Sequence, residues 1–396
     1  MQRSRLLTLA VATSAAALVL AACGGGSDDA GGDAGAAPGG EAYAGPVGDG
    51  EGKLSVLAWP GYAEDGSTDP AADWVTPFEE ATGCQVDVKV FGTSDEAVKL
   101  MQGGGYDVVS ASGDASLRLV YGENVQPINL DLVPNYADIF PDLKDKSHNT
   151  VNGVSYGVPH GRGANLLVWD KNTAGENVDS WSIMFEEDSP VAGGVGPYDS
   201  PIYIADAAVY LMATQPDLGI TDPYALDQEQ FDAAIELLKK QKGLVSEYWS
   251  DYNKQIEAVT AGTMTGATSW QVLVNYYPEN VGSTKAKEGA TGWSDTWMIA
   301  KDTANINCAY EWLNWIASPE INAQAAEWFG EAPANSKACD LTADPEHCAN
   351  YHAGDPAYWE DVYYWNTPSE ACLDGRTDVK CVPYAEWSKA WSELRS

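Results

Sequence analysis

The chain is short of positive charge and of histidine. Lys and Arg together number 22 against 58 Asp and Glu, a formal charge of −36, and 396 residues include four His. Binding to nucleic acid or to an anionic lipid surface needs an excess of the opposite sign, so the composition argues against both. The usual patterns of enzyme chemistry are missing as well. No GxSxG elbow, HExxH pair, Walker loop or strand-following GxGxxG occurs. Carboxylate pairs of the kind a glycoside hydrolase needs arise by chance among so many acids and carry no information. Beyond residue 22 there is no apolar run long enough to span a bilayer. A cationic ligand suits the negative field, although acidity also keeps an exported protein soluble, above all in salty surroundings.

At the start of the chain, Arg3 and Arg5 precede an apolar stretch from Leu6 to Ala22 that is short for a membrane span and ends in small residues, the pattern of an export signal. Leu20-Ala21-Ala22-Cys23 resembles a bacterial lipobox, which makes residues 1–22 a lipoprotein signal peptide and Cys23 the lipid-bearing first residue of the mature protein. Residues 23–52 are crowded with Gly, Ala and Asp and hold few large apolar groups, so they cannot repay the entropy of ordering. A flexible tether is expected there.

Six cysteines remain once Cys23 is set aside, an even number outside the reducing cytoplasm, and disulfides are the default. Cys339 with Cys348 and Cys372 with Cys381 are natural local pairs, leaving Cys84 with Cys308; sequence alone leaves fifteen pairings open. The spacings are not CxxC, and His347 and His352 lie in a loop-like stretch, so no metal site and no cofactor are expected.

Short β-branched runs at Lys53 to Trp59, Cys84 to Phe91 and Tyr106 to Ser112 alternate with helix signals, a β-α-β-α-β beginning. Asp69 and Pro70 can open a first helix that Gly83 closes, with Pro77 kinking or restarting it. Thr93-Ser94-Asp95-Glu96 begins a second, carrying Val98 and Met101 and ended by Gly103 to Gly105. Such alternation implies an open, mostly parallel sheet with helices on both faces, and ligands then sit beyond the strand carboxyl ends. Farther on, Asp227 and Gln230 form a capping box ahead of the Phe231, Ile235, Leu238 stripe. Cys308 to Ser318 and Pro319 to Phe329 read as helices, and an amphipathic helix around Trp387 and Trp391 ends the chain.

The order of these segments resembles the spermidine/putrescine-binding proteins of polyamine importers, a type II periplasmic-binding-protein family, from Lys53 to the last helix. Trp59-Pro60-Gly61-Tyr62 resembles the family's Trp-x-x-Tyr. Asp107 to Asp114 is similar to its Asp-Leu-Val-Val-Pro-Ser-x-Tyr strand end, with Ser112 on the serine and Asp114 in place of an aromatic residue. Tyr198-Asp199 matches the ligand-binding aspartate of the second lobe, but Ile202 stands where a glutamate is expected. Ala267 to Trp270 carries the next tryptophan, Gly292-Trp293-Ser294-Asp295 resembles Trp-x-Asp, and Gly330 to Asn335 resembles a Gly-Tyr-x-x-Pro-Asn-like loop with Glu331 replacing its tyrosine. The resemblance implies an α/β, two-lobed type II periplasmic-binding-protein fold with the ligand cleft between lobes. The expected parts are lobe 1 over 53–165, lobe 2 over 166–293, a return to lobe 1 over 294–350, and a disulfide-bearing C-terminal segment and helix over 351–396. Crossings are expected near Gly163 to Trp169 and Trp293 to Ile299.

The residues make chemical sense as a set. A dication with an aliphatic middle needs carboxylates for its ends and aromatic faces over its methylenes. Trp59, Tyr62, Trp270 and Trp293, with Ser112, Asp114, Asp199, Asp295 and Glu331, supply both. Arg162 is expected near the cleft, where it would bridge cleft acids or bind a ligand carboxylate; the latter would favour an amino-acid-like zwitterion. The reading is a monomeric extracytoplasmic lipoprotein, anchored through Cys23, that closes on a polyamine-like cation and serves a membrane permease of an ABC importer, with no chemistry of its own. A sugar ligand, suited by 15 Trp and 20 Tyr, is the alternative. An iron site built from Tyr276, Tyr277, Tyr363 or Tyr364 is weaker still.

Overall fold

The computed structural model describes residues 38–396. The proposed signal peptide, the lipid-bearing Cys23 and residues 24–37 of the expected tether lie outside the described residues. The rest of that stretch is not loose. The carbonyl of Pro38 accepts from the Tyr156 hydroxyl, the Tyr43 ring packs on Tyr310, and Glu51 accepts from the backbone N–H groups of Asn307 and Cys308. The correction has a plain cause, since Glu51 meets two N–H groups that begin a helix and would otherwise lack acceptors.

The chain opens as its sequence pattern suggests. Strands Lys53–Ala58, Gln85–Val90 and Val108–Ala111 pair in parallel, with helices Val75–Thr82 and Ser94–Gly103 between them and Gly113–Tyr121 after them. The first helix begins at Val75 instead of Pro70. That start places Pro77 in the first turn, where a missing N–H and a fixed φ cost nothing. Gly83 closes it with φ 75°, its N–H bonded to the Glu79 carbonyl. Thr93 caps the second helix by accepting from the Glu96 N–H at 3.2 Å, and Val98 and Met101 are buried beneath it.

Two strands join the halves of the molecule, Val158–Asp170 and Ala290–Ile299. The long strand pairs antiparallel with the return strand from Val158 to Ala164, then with Gly266–Trp270 and Val281–Thr284 from Asn165 onward. The return strand ends beside Val108–Ala111, also antiparallel. The sheet is therefore mixed: the two crossing strands run antiparallel to each other, the return strand also to Val108–Ala111 and the long strand to Gly266–Trp270, while Val362–Tyr364 pairs in parallel with the return strand. One hydrophobic core gathers Leu54 to Val158 with Trp297 to Ala334; the other gathers Leu167 to Trp293 with Trp365 and Val382 to Leu394.

The expected C-terminal segment is not separate. After Val362–Tyr364 pairs with the return strand, the chain passes along both halves: Thr367 donates to the Gly113 and Asp114 carbonyls, and the Val382 N–H donates to Leu226. Helix Tyr384–Arg395 then buries Trp387, Trp391 and Leu394 in the second core. Disulfides join Cys84 to Cys308, Cys339 to Cys348 and Cys372 to Cys381. No helix among the described residues is long and apolar enough to cross a membrane.

Candidate functional site

A cavity of about 950 Å³ opens where the crossing strands meet the strand ends of both halves. Its aromatic lining is Trp59, Tyr62, Tyr252, Trp270, Tyr276, Trp293, Trp328, Phe329 and Trp365. Its carboxylates are Asp295, Glu64 and Asp251, and no Lys, Arg or His lines it.

Local structure explains how the deepest side chains arrive. The first strand ends at Ala58, and the Trp59 N–H donates to Ser110 Oγ at 3.0 Å while the indole N–H donates to Ser112 Oγ at 3.0 Å. The chain then turns through Gly61, whose φ of 90° favours glycine, to deliver Tyr62. The Tyr62 ring lies between His160, 4.1 Å away between centroids, and Phe329 at 4.8 Å, and its hydroxyl donates to Asp295 Oδ2 at 2.9 Å. On the return strand, Trp293 faces Gly163 and Asp295 faces Gly161. A Cβ at Gly163 would stand 2.0 Å from the Trp293 ring, and one at Gly161 would stand 2.1 Å from Glu331 Oε1. Both glycines are demanded by what crosses them.

Asp295 is 3 % exposed, and its Oδ1 has no hydrogen-bond partner. Burial pushes its carboxyl up to about 7, against the opposing pull of the nearby Ser112 and Tyr62 hydroxyls. A buried acid whose carboxyl is raised toward neutrality, with one oxygen left over, is suited to receive a cation.

Glu331 is fully buried and does not line the cavity. Its Oε2 lies 3.4 Å from both the Tyr62 hydroxyl and the Trp293 indole nitrogen, and its Oε1 lies 3.5 Å from His160 Nε2. Burial, helped by nearby Asp295, raises its carboxyl well above the usual range, and burial pushes His160 down to about 3. His160 is therefore neutral at pH 7.

The aromatic wall continues into the second half. Trp270, at the end of Gly266–Trp270, meets Trp59 edge-on at 6.2 Å, Trp249 at 5.2 Å and Tyr198 at 5.7 Å. Tyr198 stacks on Trp365 at 5.8 Å with planes 5° apart, and the Trp365 backbone N–H donates to the Gly292 carbonyl at 2.7 Å. Tyr252, Tyr276 and Trp328 are the exposed part of the aromatic lining.

Six of the expected ligand residues thus line the cavity, namely Trp59, Tyr62, Ser112, Trp270, Trp293 and Asp295. Four do not, and each has another partner. Asp114, in the first turn of helix Gly113–Tyr121, accepts from the Ser94 hydroxyl at 2.8 Å. Asp199 receives two hydrogen bonds from the Arg395 guanidinium, at 2.9 and 3.0 Å, and one from Trp391 Nε1 at 3.0 Å, so it holds the last helix. Glu331 stands behind Tyr62. Arg162 is spent on Asp142, the Tyr364 hydroxyl and the Ala353 carbonyl while its plane covers Trp359 at 4.3 Å, which leaves no cation for a ligand carboxylate in the cavity. The four tyrosines weighed for iron are placed separately: Tyr277 bonds to Ser269, Tyr364 to Arg162, Tyr363 accepts from the Tyr224 hydroxyl through its backbone carbonyl, and Tyr276 sits at the exposed edge of the cavity. Among the described residues no group of His, Cys, Asp and Glu is arranged to hold a metal.

Trp365, Trp328, Phe329, Tyr252, Glu64 and Asp251 are lining residues that sequence reasoning did not single out. Trp365 sits in a turn-rich stretch with no periodicity to mark it. Asp251 had a signal, as the cap of helix Tyr252–Thr260, but that signal speaks of a helix start.

The cavity can now be set beside known proteins. The putrescine-binding periplasmic protein SpuD of Pseudomonas aeruginosa is 25% identical over 311 residues, covering 74% of this chain and 80% of that protein. The putrescine-binding periplasmic protein PotF of Escherichia coli is 24% identical over 317 residues, covering 73% and 80%. Among solved structures, the spermidine/putrescine ABC transporter substrate-binding protein PotD from Streptococcus pneumoniae superposes with a TM-score of 0.66 at 17% identity, over 87% of this chain and 97% of that one. The shared fold is the two-lobed type II periplasmic-binding-protein fold. The sequence model of the bacterial extracellular solute-binding proteins matches residues 73–350, most of the folded chain. The protein is a member of that bacterial extracellular solute-binding family.

Proposed function

We propose that this protein is the extracytoplasmic substrate-binding component of an ABC importer and that its ligand is a small organic cation of the polyamine class, putrescine or spermidine. The observation that carries this reading is the composition of the cavity: nine aromatic side chains and three carboxylates, with no basic residue. Aromatic faces cover methylenes and attract ammonium groups, and a buried carboxylate pairs the charge that enters with them. Asp295 takes one ammonium at the deep end. With Asp199 committed to Arg395, the other end is met by the Trp270, Trp365 and Tyr252 rings and by Glu64 and Asp251 at the edge. The names of the relatives, putrescine-binding proteins among them, point the same way.

Lobe closure would bury the cation and present both lobes to the permease, so that the ligand acts through its higher affinity for the closed form. The lipid anchor at Cys23 would hold the module beside its importer, and labelling with radioactive palmitate checks it: label that survives Cys23→Ser argues against the anchor.

The test of the ligand is mass spectrometry of what the purified protein releases on denaturation. A polyamine mass is expected; a neutral sugar or an amino acid would displace the proposal.

A further inference from the structure

Among the described residues seven large apolar side chains are exposed, and four of them, Val90, Tyr252, Tyr276 and Trp328, line the same cavity. Scattered apolar side chains on a surface need no explanation, but a group around one opening does. Two come from each half of the molecule. Val90 ends strand Gln85–Val90 and Trp328 lies in the last turn of helix Pro319–Phe329, in the half built on the first core. Tyr252 begins helix Tyr252–Thr260 and Tyr276 ends the short turn Gln271–Tyr276, in the half built on the second.

The halves already approach each other beside Trp328. Phe329 packs against both cores, and a Cβ at Gly330 would stand 3.1 Å from the Val272 side chain and 3.2 Å from the Asn275 amide nitrogen. The chain leaving Trp328 thus meets the chain entering Tyr276. Val90 and Tyr252 belong to the rest of the rim, with Gly92 beside the one and Ile256 a helical turn beyond the other.

We propose that these four side chains are the facing halves of an apolar lip, Trp328 with Tyr276 and Val90 with Tyr252, and that closing the cleft packs them against each other over its mouth. What covers each exposed ring is the opposite half of the same chain. Burial of apolar surface needs no charge, so the lip draws the halves together whether or not the cavity is filled, and its contribution adds to the affinity of any ligand enclosed. The carboxylates at the same edge act the other way. Glu64 from the first half and Asp251 from the second are like charges that closure brings nearer, and with no basic residue in the cavity a bound cation is what offsets them. The empty molecule closes briefly and the loaded one stays closed. The role of the cation rests on the cation-binding reading; the apolar contact does not.

Two measurements test the lip. In the first, Val90→Cys is combined with Tyr252→Cys, the protein is oxidised with copper phenanthroline, and the joined peptides are sought by mass spectrometry. The disulfide should form slowly in the empty protein and at least about fivefold faster with putrescine. Its absence under both conditions in a folded variant would overturn the lip, whereas an equal rate with and without putrescine keeps the lip and removes putrescine as the ligand. In the second, putrescine and spermidine affinities are compared for Trp328→Ser, Tyr276→Ser and the double variant. Each single change should lower both affinities about five- to tenfold, and the double variant should lose no more than the worse single change, because either one breaks the same contact. Losses that multiply would place the two rings separately on the ligand and overturn their pairing. Should neither amine bind, the disulfide result decides.

Discussion

Replacing Asp295 by Asn tests the site at its deepest point. The change is nearly isosteric, and Tyr62 can still donate to the amide oxygen, so the fold should hold. What is lost is a buried charge facing an ammonium. A hydrogen bond to a charged group contributes about 1.5 to 3 kcal/mol, which is roughly a 10- to 150-fold loss of putrescine affinity. The loss should also depend on pH. With the Asp295 carboxyl near 7 in the empty site, the protonated form must give up its proton before binding, so wild-type affinity should rise about tenfold between pH 6 and pH 8 and then level off. The amide of the Asp295→Asn variant has no proton to give up, and the affinity of that variant should be flat across the same range. Isothermal titration at three pH values, in buffers of different ionisation enthalpy, measures affinity and proton release together. Two results would refute the reasoning: an unchanged affinity at pH 8, or a variant with the wild-type pH slope.

Trp365→Ala should weaken amine binding by about 1 to 2 kcal/mol, since it removes one stacked face of the cavity wall, and tryptophan fluorescence titration measures this; an unchanged Kd would place Trp365 outside the site. Asp199→Asn should lower the melting temperature slightly, the partly exposed Arg395 pair contributing about 0.5 to 1 kcal/mol, while putrescine affinity stays within about twofold. A large loss of affinity would return Asp199 to the ligand. Asp206 is buried, accepts from the Thr291 hydroxyl at 3.0 Å, and burial pushes its carboxyl up to about 8. The folded state therefore keeps a proton that the unfolded chain releases near 3.8, so stability is lost as pH rises between those values. Asp206→Asn should flatten the fall in melting temperature between pH 5 and pH 8; an unaltered fall would contradict it.

Much of this architecture is local and so was legible. The Thr93 cap, the Asp227 and Gln230 capping box and the glycine stop at Gly83 all use neighbours within a few residues, as do the two disulfides that span nine residues. The site was readable where aromatic residues follow a strand, as Trp59 and Trp270 do. It was misread where a polar side chain is claimed from far along the chain. Asp199 and Arg395 are 196 residues apart, and Arg162 and Tyr364 are 202 apart. A carboxylate's role depends on which cation reaches it first, and that is a property of the fold. Gly161 and Gly163 did carry a signal: two glycines flanking Arg162 in a strand mark places where something bulky crosses, here Glu331 and Trp293.

The central claim is that the cavity binds an organic cation of the polyamine class. Calorimetric titration of the purified protein with putrescine and with spermidine tests it most directly. The account predicts saturable heat for at least one of them, an affinity that falls as ionic strength rises, and a matching thermal shift. No heat and no thermal shift at millimolar amine would contradict it.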